Sequence, residues 1–254
     1  MELYVCAIER IDNDLDLYDA YFGKILVQET KMCYRLIDII DGKHDKMLNA
    51  INCRNIKKSR IERQRNYYHF GPSCLLGHTR IEAIGQFLSA AKNELYEINR
   101  QISEIIIAKD KIKNFGQEKS SLNTDILYGA VLHEEKQWGH PKRYLLGTGC
   151  FKVRECPKTY KLSCVLEPEK TDALELGLFS YWTIRKSDLG KRIDTCRGAY
   201  YAQNKKELVE PVLRECESKL IELRKQKDNY QMLVQKISDF LMEDKESVSL
   251  KYAG

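Results

Sequence analysis

The sequence predicts an α+β protein, predominantly α, with three long heptad-patterned helices and a small antiparallel β-rich segment between the second and third. Three observations predict it. Apolar residues recur at steps of three and four over long stretches, which marks helices with one packed face. Around residues 160–184 the period changes to two, the mark of strands. Glycine (14) and proline (5) are scarce in 254 residues, so elements should be long and tight turns few. The expected organisation is a helical region over 1–124, a β-rich segment over 125–186, and a helical region over 187–254 that packs back on the first.

The first helix is read from Asp12. Its seam is Leu15, Tyr18, Phe22, Ile25, Met32, Leu36 and Ile39, with Asp12, Asn13, Asp14 and Asp16 as capping and dipole-matched acids and Gly42 as the stop. A shorter helix follows near His44, with Met47, Leu48 and Ile51 on its apolar side. Thr79-Arg80-Ile81-Glu82 has the form of a capping box and opens the second long helix. Ile81, Ile84, Leu88, Ala91, Leu95, Ile98, Ile102 and Ile105 form its seam, and Gly116 closes it. Residues 126–132 and 143–153, the alternation Tyr160, Leu162, Cys164, Leu166, and the alternation Leu174 to Ile184 supply about four antiparallel strands. Ser187 caps a segment over 188–209. The third long helix starts at Pro211, where a first-turn proline loses no hydrogen bond. Its seam is Leu213, Cys216, Leu220, Leu223, Tyr230, Val234, Ile237 and Leu241. Beyond the heptads no repeat of fixed period stands out.

Nothing approaches the roughly eighteen apolar residues of a membrane span, and the N-terminus has an acid where a signal peptide is basic. Nine scattered cysteines, none in a CxxC pair, read as reduced thiols. Together these predict a cytoplasmic protein without a membrane partner.

The net charge is +5, unevenly spread. Residues 1–50 hold ten acids and six bases, and residues 207–254 hold ten acids and eight bases, so the middle carries the positive charge. Its densest run is Arg54, Lys57, Lys58, Arg60, Arg63 and Arg65, followed by Tyr67 and Tyr68. Phosphates need cations and unpaired bases stack on rings, so this run is a candidate nucleic-acid surface. Pairing with the acidic first segment is the plainer reading. Two further basic stretches hold Lys142, Arg143, Lys152 and Arg154, and Arg185, Lys186, Lys191, Arg192, Arg197 and Lys205 along with Tyr200 and Tyr201; convergence of all three on one face would strengthen the nucleic-acid reading.

Other chemistry is thin. Asp12 to Asp16 begins like a calcium loop, but Leu17 and Gly23 stand where glycine and glutamate are needed. His133 and His140 lack metal-ligand spacing. Cys74 and His78 sit four apart, a chance-level thiol–base pair. No Walker, GxSxG or dinucleotide motif occurs. No cofactor, metal or catalytic residue is assigned. The leading expectation is a non-enzymatic subunit that binds another chain, or itself, through its helical seams. Nucleic-acid binding by the Arg54–Arg65 run is the second. An enzyme with a dispersed site in the β-rich segment, near Trp138, His140 and Trp182, is the third.

Overall fold

The computed structural model describes residues 1–52, 54–59, 61, 73–119, 125–135, 142–166 and 183–251. The elements run β1 (Glu2–Asp12), β2 (Leu17–Glu29), β3 (Cys33–Asp41), α1 (His44–Ile51), β4 (Asn55–Lys57), β5 (Ser73–Gly77), α2 (Arg80–Ile84) and α3 (Phe87–Gln117). They continue with β6 (Ile126–Glu135), β7 (Arg143–Glu155), β8 (Thr159–Leu166), β9 (Thr183–Arg185), β10 (Tyr200–Ala202) and α4 (Lys205–Lys251). Two five-stranded antiparallel sheets result, in the orders β4-β3-β2-β1-β5 and β10-β6-β7-β8-β9. Two helices among the described residues are long, not three, and the predominantly α reading is overturned.

The correction falls on the first predicted helix, which is the meander β1-β2-β3. Its false period has a physical cause. Tyr18, Ala20 and Phe22 lie on one face of β2, whereas Ile25 and Val27 lie on the other, in the core formed with Leu3, Val5, Leu76, Met47 and Ile51. Both faces are covered in turn, so the apolar positions pass from one face to the other between Phe22 and Ile25. That change inserts a step of three into a period of two and imitates a helix. The acids taken for a helix cap make a turn: Asp12 Oδ1 accepts from the amides of Asp14 (2.9 Å) and Leu15 (3.0 Å), the same side-chain-to-backbone chemistry in another setting.

The expected capping box is present. Thr79 Oγ1 accepts from Glu82 N at 3.1 Å, and Glu82 Oε2 accepts from His78 N at 2.9 Å. Gly85, at φ +53°, interrupts the helix after Ile84, and α3 restarts at Phe87. Gly116 does not end α3. It is buried inside it, where an added Cβ would stand 2.2 Å from Val209 Cγ2. Pro211 lies within α4, which begins six residues earlier after Asn204.

The chain divides into two units, Met1–Ile98 with Lys225–Gly254, and Asn99–Arg224. Each unit therefore holds one sheet, the start of one long helix and the end of the other. Each sheet is strongly curled. Tyr34 on β3 reaches His78, just past β5, at 3.4 Å, although β2 and β1 lie between them and flat strands would hold them roughly 14 Å apart. In the second sheet Gln203, just past β10, donates to Tyr160 Oη on β8 in the same way.

The parallel between the units extends to single residues, at separations of 124 to 128 positions. Leu3-Tyr4 pairs with Ile25 and Lys24 as Leu127-Tyr128 pairs with Phe151 and Cys150. Glu29↔Tyr34 matches Glu155↔Tyr160, and the bulges that leave Ile37 and Ser163 unpaired fall at the same place. Asn55-Ile56-Lys57-Lys58-Ser59 matches Thr183-Ile184-Arg185-Lys186-Ser187. Arg80 stands over the rings of Tyr4 and Phe240, and Lys205 over those of Tyr128 and Phe115. The amides of Tyr18 and Tyr144 are received by Asn229 and Glu104, each at 2.9 Å. The chain is an internal duplication of a β-β-β-β-β-α unit. Its sparse identities, spread over a spacing near 125, escape a search for short periods.

Candidate nucleic-acid interface

Of the basic run predicted from sequence, Arg54, Lys57 and Lys58 are among the described residues. Arg54 and Lys57 are exposed at the edge strand β4. Lys58 is turned the other way, hydrogen-bonded to Glu29 at 2.5 Å with its ammonium 5.3 Å from the Tyr34 ring centroid. That hydrogen bond raises the Lys58 pKa and lowers that of Glu29. Lys186, Glu155 and Tyr160 repeat the arrangement in the second unit, so it is a device of the fold that ties the edge strand to the hairpin. Arg60, Arg63, Arg65, Tyr67 and Tyr68 lie outside the described residues, as do Trp138, His140 and Trp182.

A different cationic surface is assembled by strand register. On β7, Lys152 and Arg154 are two residues apart and therefore share a face. Arg154 is directly opposite Lys161 on β8, Lys161 is opposite Thr183 on β9, and Thr159 is opposite Arg185. All four cations are exposed. The opposite side of the same strands is core: Phe151, Val153, Tyr160, Leu162 and Ile184. The remaining described residues on the outer side of β8 and β9 are Thr159, Ser163, Cys164, Leu166 and Thr183, and none is acidic. Among the described residues none of the four cations has an ion-pair partner, whereas Lys142, Lys186 and Arg192 nearby in sequence all have one.

The energetics of this face run against stability. Like charges directly opposite on antiparallel strands repel, and the ordinary remedy is an acid at one of the two positions. Here Arg154 and Lys161 stand opposed with no acid between them. Alternate residues on a strand lie roughly 6.6 Å apart and neighbouring strands about 4.8 Å apart, so the four charges form a compact lattice beside three hydroxyls. Cations with interspersed Ser and Thr donors are the chemistry that phosphate oxygens accept.

The first unit holds the counterpart face with different residues. Arg35 stands where the second has Lys161, and Lys57 where it has Arg185; Leu26 and Gln28 replace Lys152 and Arg154. Sequence reasoning had named Lys152, Arg154 and Arg185 as members of separate basic stretches. It missed Lys161 and Arg35, because their place depends on which strands pair.

The first unit also contains an open cavity of about 560 Å³ lined in part by Asp19, Tyr21, Phe22, Asp41 and Phe240. Among its charged groups Lys236 pairs with Asp19 at 2.5 Å, and Lys43 stands over the Tyr21 ring. Cys74 is buried in β5 and His78 is exposed beyond its end, hydrogen-bonded through Nε2 to Tyr34.

No helix among the described residues is long and apolar enough to cross a membrane. No protein-family model matches the chain, and neither curated proteins nor solved structures provide a match.

Proposed function

We propose that this is a nucleic-acid-binding protein whose contact surface is the outer face of β7-β8-β9. The observation that carries the reading is the unpaired lattice of Lys152, Arg154, Lys161 and Arg185, held together against its own repulsion. The free thiols of the seven described cysteines support a reducing, cytoplasmic setting.

Four phosphate contacts release about four condensed counterions. The logarithm of the binding constant should then fall with the logarithm of salt at a slope of about −3.6 on duplex DNA. Titration of labelled duplexes of unrelated sequence across a salt series measures it. The expected result is one slope for all sequences, and a reduction of about 0.9 for each cation replaced by glutamine. An unchanged slope in the Lys161→Gln/Arg185→Gln variant would remove this face from the reading. Equal binding of polyglutamate would assign the face to acidic proteins and overturn the nucleic-acid reading.

A second reading, a non-enzymatic subunit of a larger assembly, has one specific support. The seams themselves are largely spent: Ile84, Ala91, Ile98, Cys216, Leu220, Leu223, Tyr230 and Ile237 are buried within the chain. The outward sides of the two helices, however, keep exposed apolar residues at matched positions, Tyr96 with Ile221 and Ile107 with Met232, all at least 43% exposed. Absolute mass in solution tests it: a mass above 29.7 kDa that returns to the single-chain value in Tyr96→Lys/Ile221→Lys supports it, and a single-chain mass in the native protein counts against self-assembly.

A further inference from the structure

We infer that each half of the duplication carries its own phosphate-contacting face, so that one chain holds two duplex segments, one strongly and one weakly. The inference rests on the nucleic-acid reading above and extends it to the first unit, where Lys57 of the basic run is joined by Arg35.

Two independent observations carry it. The first is a comparison inside the chain. The two copies have diverged at most outward positions, yet a cation is kept at two equivalent ones: Arg35 with Lys161, and Lys57 with Arg185. The Lys58 and Lys186 positions are kept as well, but those lysines have ion-pair partners in the fold. No structural use of that kind explains Arg35 and Lys57: both are exposed, and neither has an ion-pair partner among the described residues. Retention where nothing in the fold uses the charge points to a contact outside the fold.

The second observation is what the faces lack. Around these cations the outer positions are hydroxyls, amides, thiols and aliphatic side chains, with one acid, Asp38, in the first unit where the second has Cys164, and no aromatic ring among those described. Single strands are held by stacking bases on rings, at about 1–3 kcal/mol per base, whereas a duplex offers its backbone and hides its base faces. Cations and hydroxyls without rings fit the backbone of a duplex, read without regard to sequence.

The two faces differ in strength in a way the residues specify. Four cations in the second unit give a salt slope of about −3.6, and Arg35 with Lys57 about −1.8. At low salt both faces should be filled, and rising salt should empty the first unit well before the second.

The test uses the full chain and a short duplex of about ten base pairs, one helical turn. Isothermal titration and absolute mass in solution, at low salt, read the number bound per chain. The expected result is two duplexes on the native chain, one on Arg35→Glu/Lys57→Glu, one on Lys161→Glu/Arg185→Glu, and none on the fourfold variant. The remaining duplex on Arg35→Glu/Lys57→Glu should keep the steeper salt slope. These side chains are exposed, so the thermal unfolding midpoint serves as the check on folding. One duplex on the native chain, unaltered by Arg35→Glu/Lys57→Glu, would overturn the second face and leave the first standing. No binding by the native chain would instead overturn the reading it rests on. Tighter binding of a single strand than of the duplex would overturn the assignment of ligand class.

Discussion

Asn229 is bound to Tyr18 twice: its Oδ1 accepts from the Tyr18 amide at 2.9 Å, and its Nδ2 donates to the Tyr18 carbonyl at 2.8 Å. The two residues are 211 positions apart, and both are buried. An amide side chain satisfies a donor and an acceptor of β2 that have no strand to pair with there. Asn229→Leu leaves both groups buried and unmatched, and should cost about 1–3 kcal/mol. At the equivalent place in the other unit, Glu104→Gln keeps an oxygen for the Tyr144 amide and should cost less. Urea unfolding of both variants gives the comparison. Equal losses would mean that the charge of Glu104, and not its acceptor, holds β7.

Gly116 on α3 faces Val209 on α4 within the second unit. Alanine is the better helix former by about 1 kcal/mol, so propensity alone favours Gly116→Ala. Sterics oppose it, because the new Cβ would lie 2.2 Å from Val209 Cγ2, and overpacking typically costs about 1–3 kcal/mol. The single variant should lose stability, and Gly116→Ala/Val209→Ala should recover part of the loss, with a coupling of about 0.5–3 kcal/mol in a double-mutant cycle. Additive effects would show that the helices separate freely.

Arg154 and Lys161 offer a test in which stability and binding move in opposite directions. Replacing Arg154 with threonine removes a like-charge cross-strand pair and restores a good strand former, and should stabilise the protein by about 0.2–1 kcal/mol. The same change should weaken duplex binding and lower the salt slope by about 0.9. Thermal unfolding and salt-dependent binding on one preparation read both. A variant that loses stability would mean that Arg154 has a structural partner.

Glu215 should give the fold a distinctive pH response. Burial pushes its carboxyl pKa up, against the opposing pull of Arg192 and the Tyr200 hydroxyl, and Oε2 is buried without a hydrogen-bond partner among the described residues. A raised carboxylate pKa means that the folded state binds the proton more tightly than the unfolded one. Stability contributed at this position is therefore present at low pH and declines as pH rises from the ordinary glutamate value of about 4.3 to the folded value. Glu215→Gln should match the native protein below that window and exceed it by a growing margin through it, levelling above. Urea titrations between pH 4 and 7 measure the margin; a margin that does not vary with pH would sink the idea.

Local signals in the sequence were faithful wherever a single interaction sets the structure. The Thr79–Glu82 capping box, Met47 and Ile51 inward on α1, and Tyr160 and Leu162 inward on β8 take the form expected of them, whereas Leu48 is exposed and the bulge at Ser163 turns Cys164 and Leu166 to the outer face. Faces decided by pairing were not legible. Tyr18, Phe22 and Ile25 imitate a helix because a curled sheet covered on both sides has no single apolar face. The same holds for the candidate site. Lys152 and Arg154 were visible as charges, but Lys161 joins them only through the β7–β8 register, and Lys58, central to the sequence reading, is tied to Glu29.

The division of the two long helices between the units fixes an order of events during synthesis. The strands of the first sheet, up to Gly77, are made before any of the second sheet, yet Asn229, Lys236 and Phe240, which close it, are made after the whole of the second sheet. The N-terminal unit therefore waits, incomplete, through the translation of the whole C-terminal unit. A premature stop within α4 ahead of Asn229 would leave the first sheet unclosed and the later-made second sheet intact.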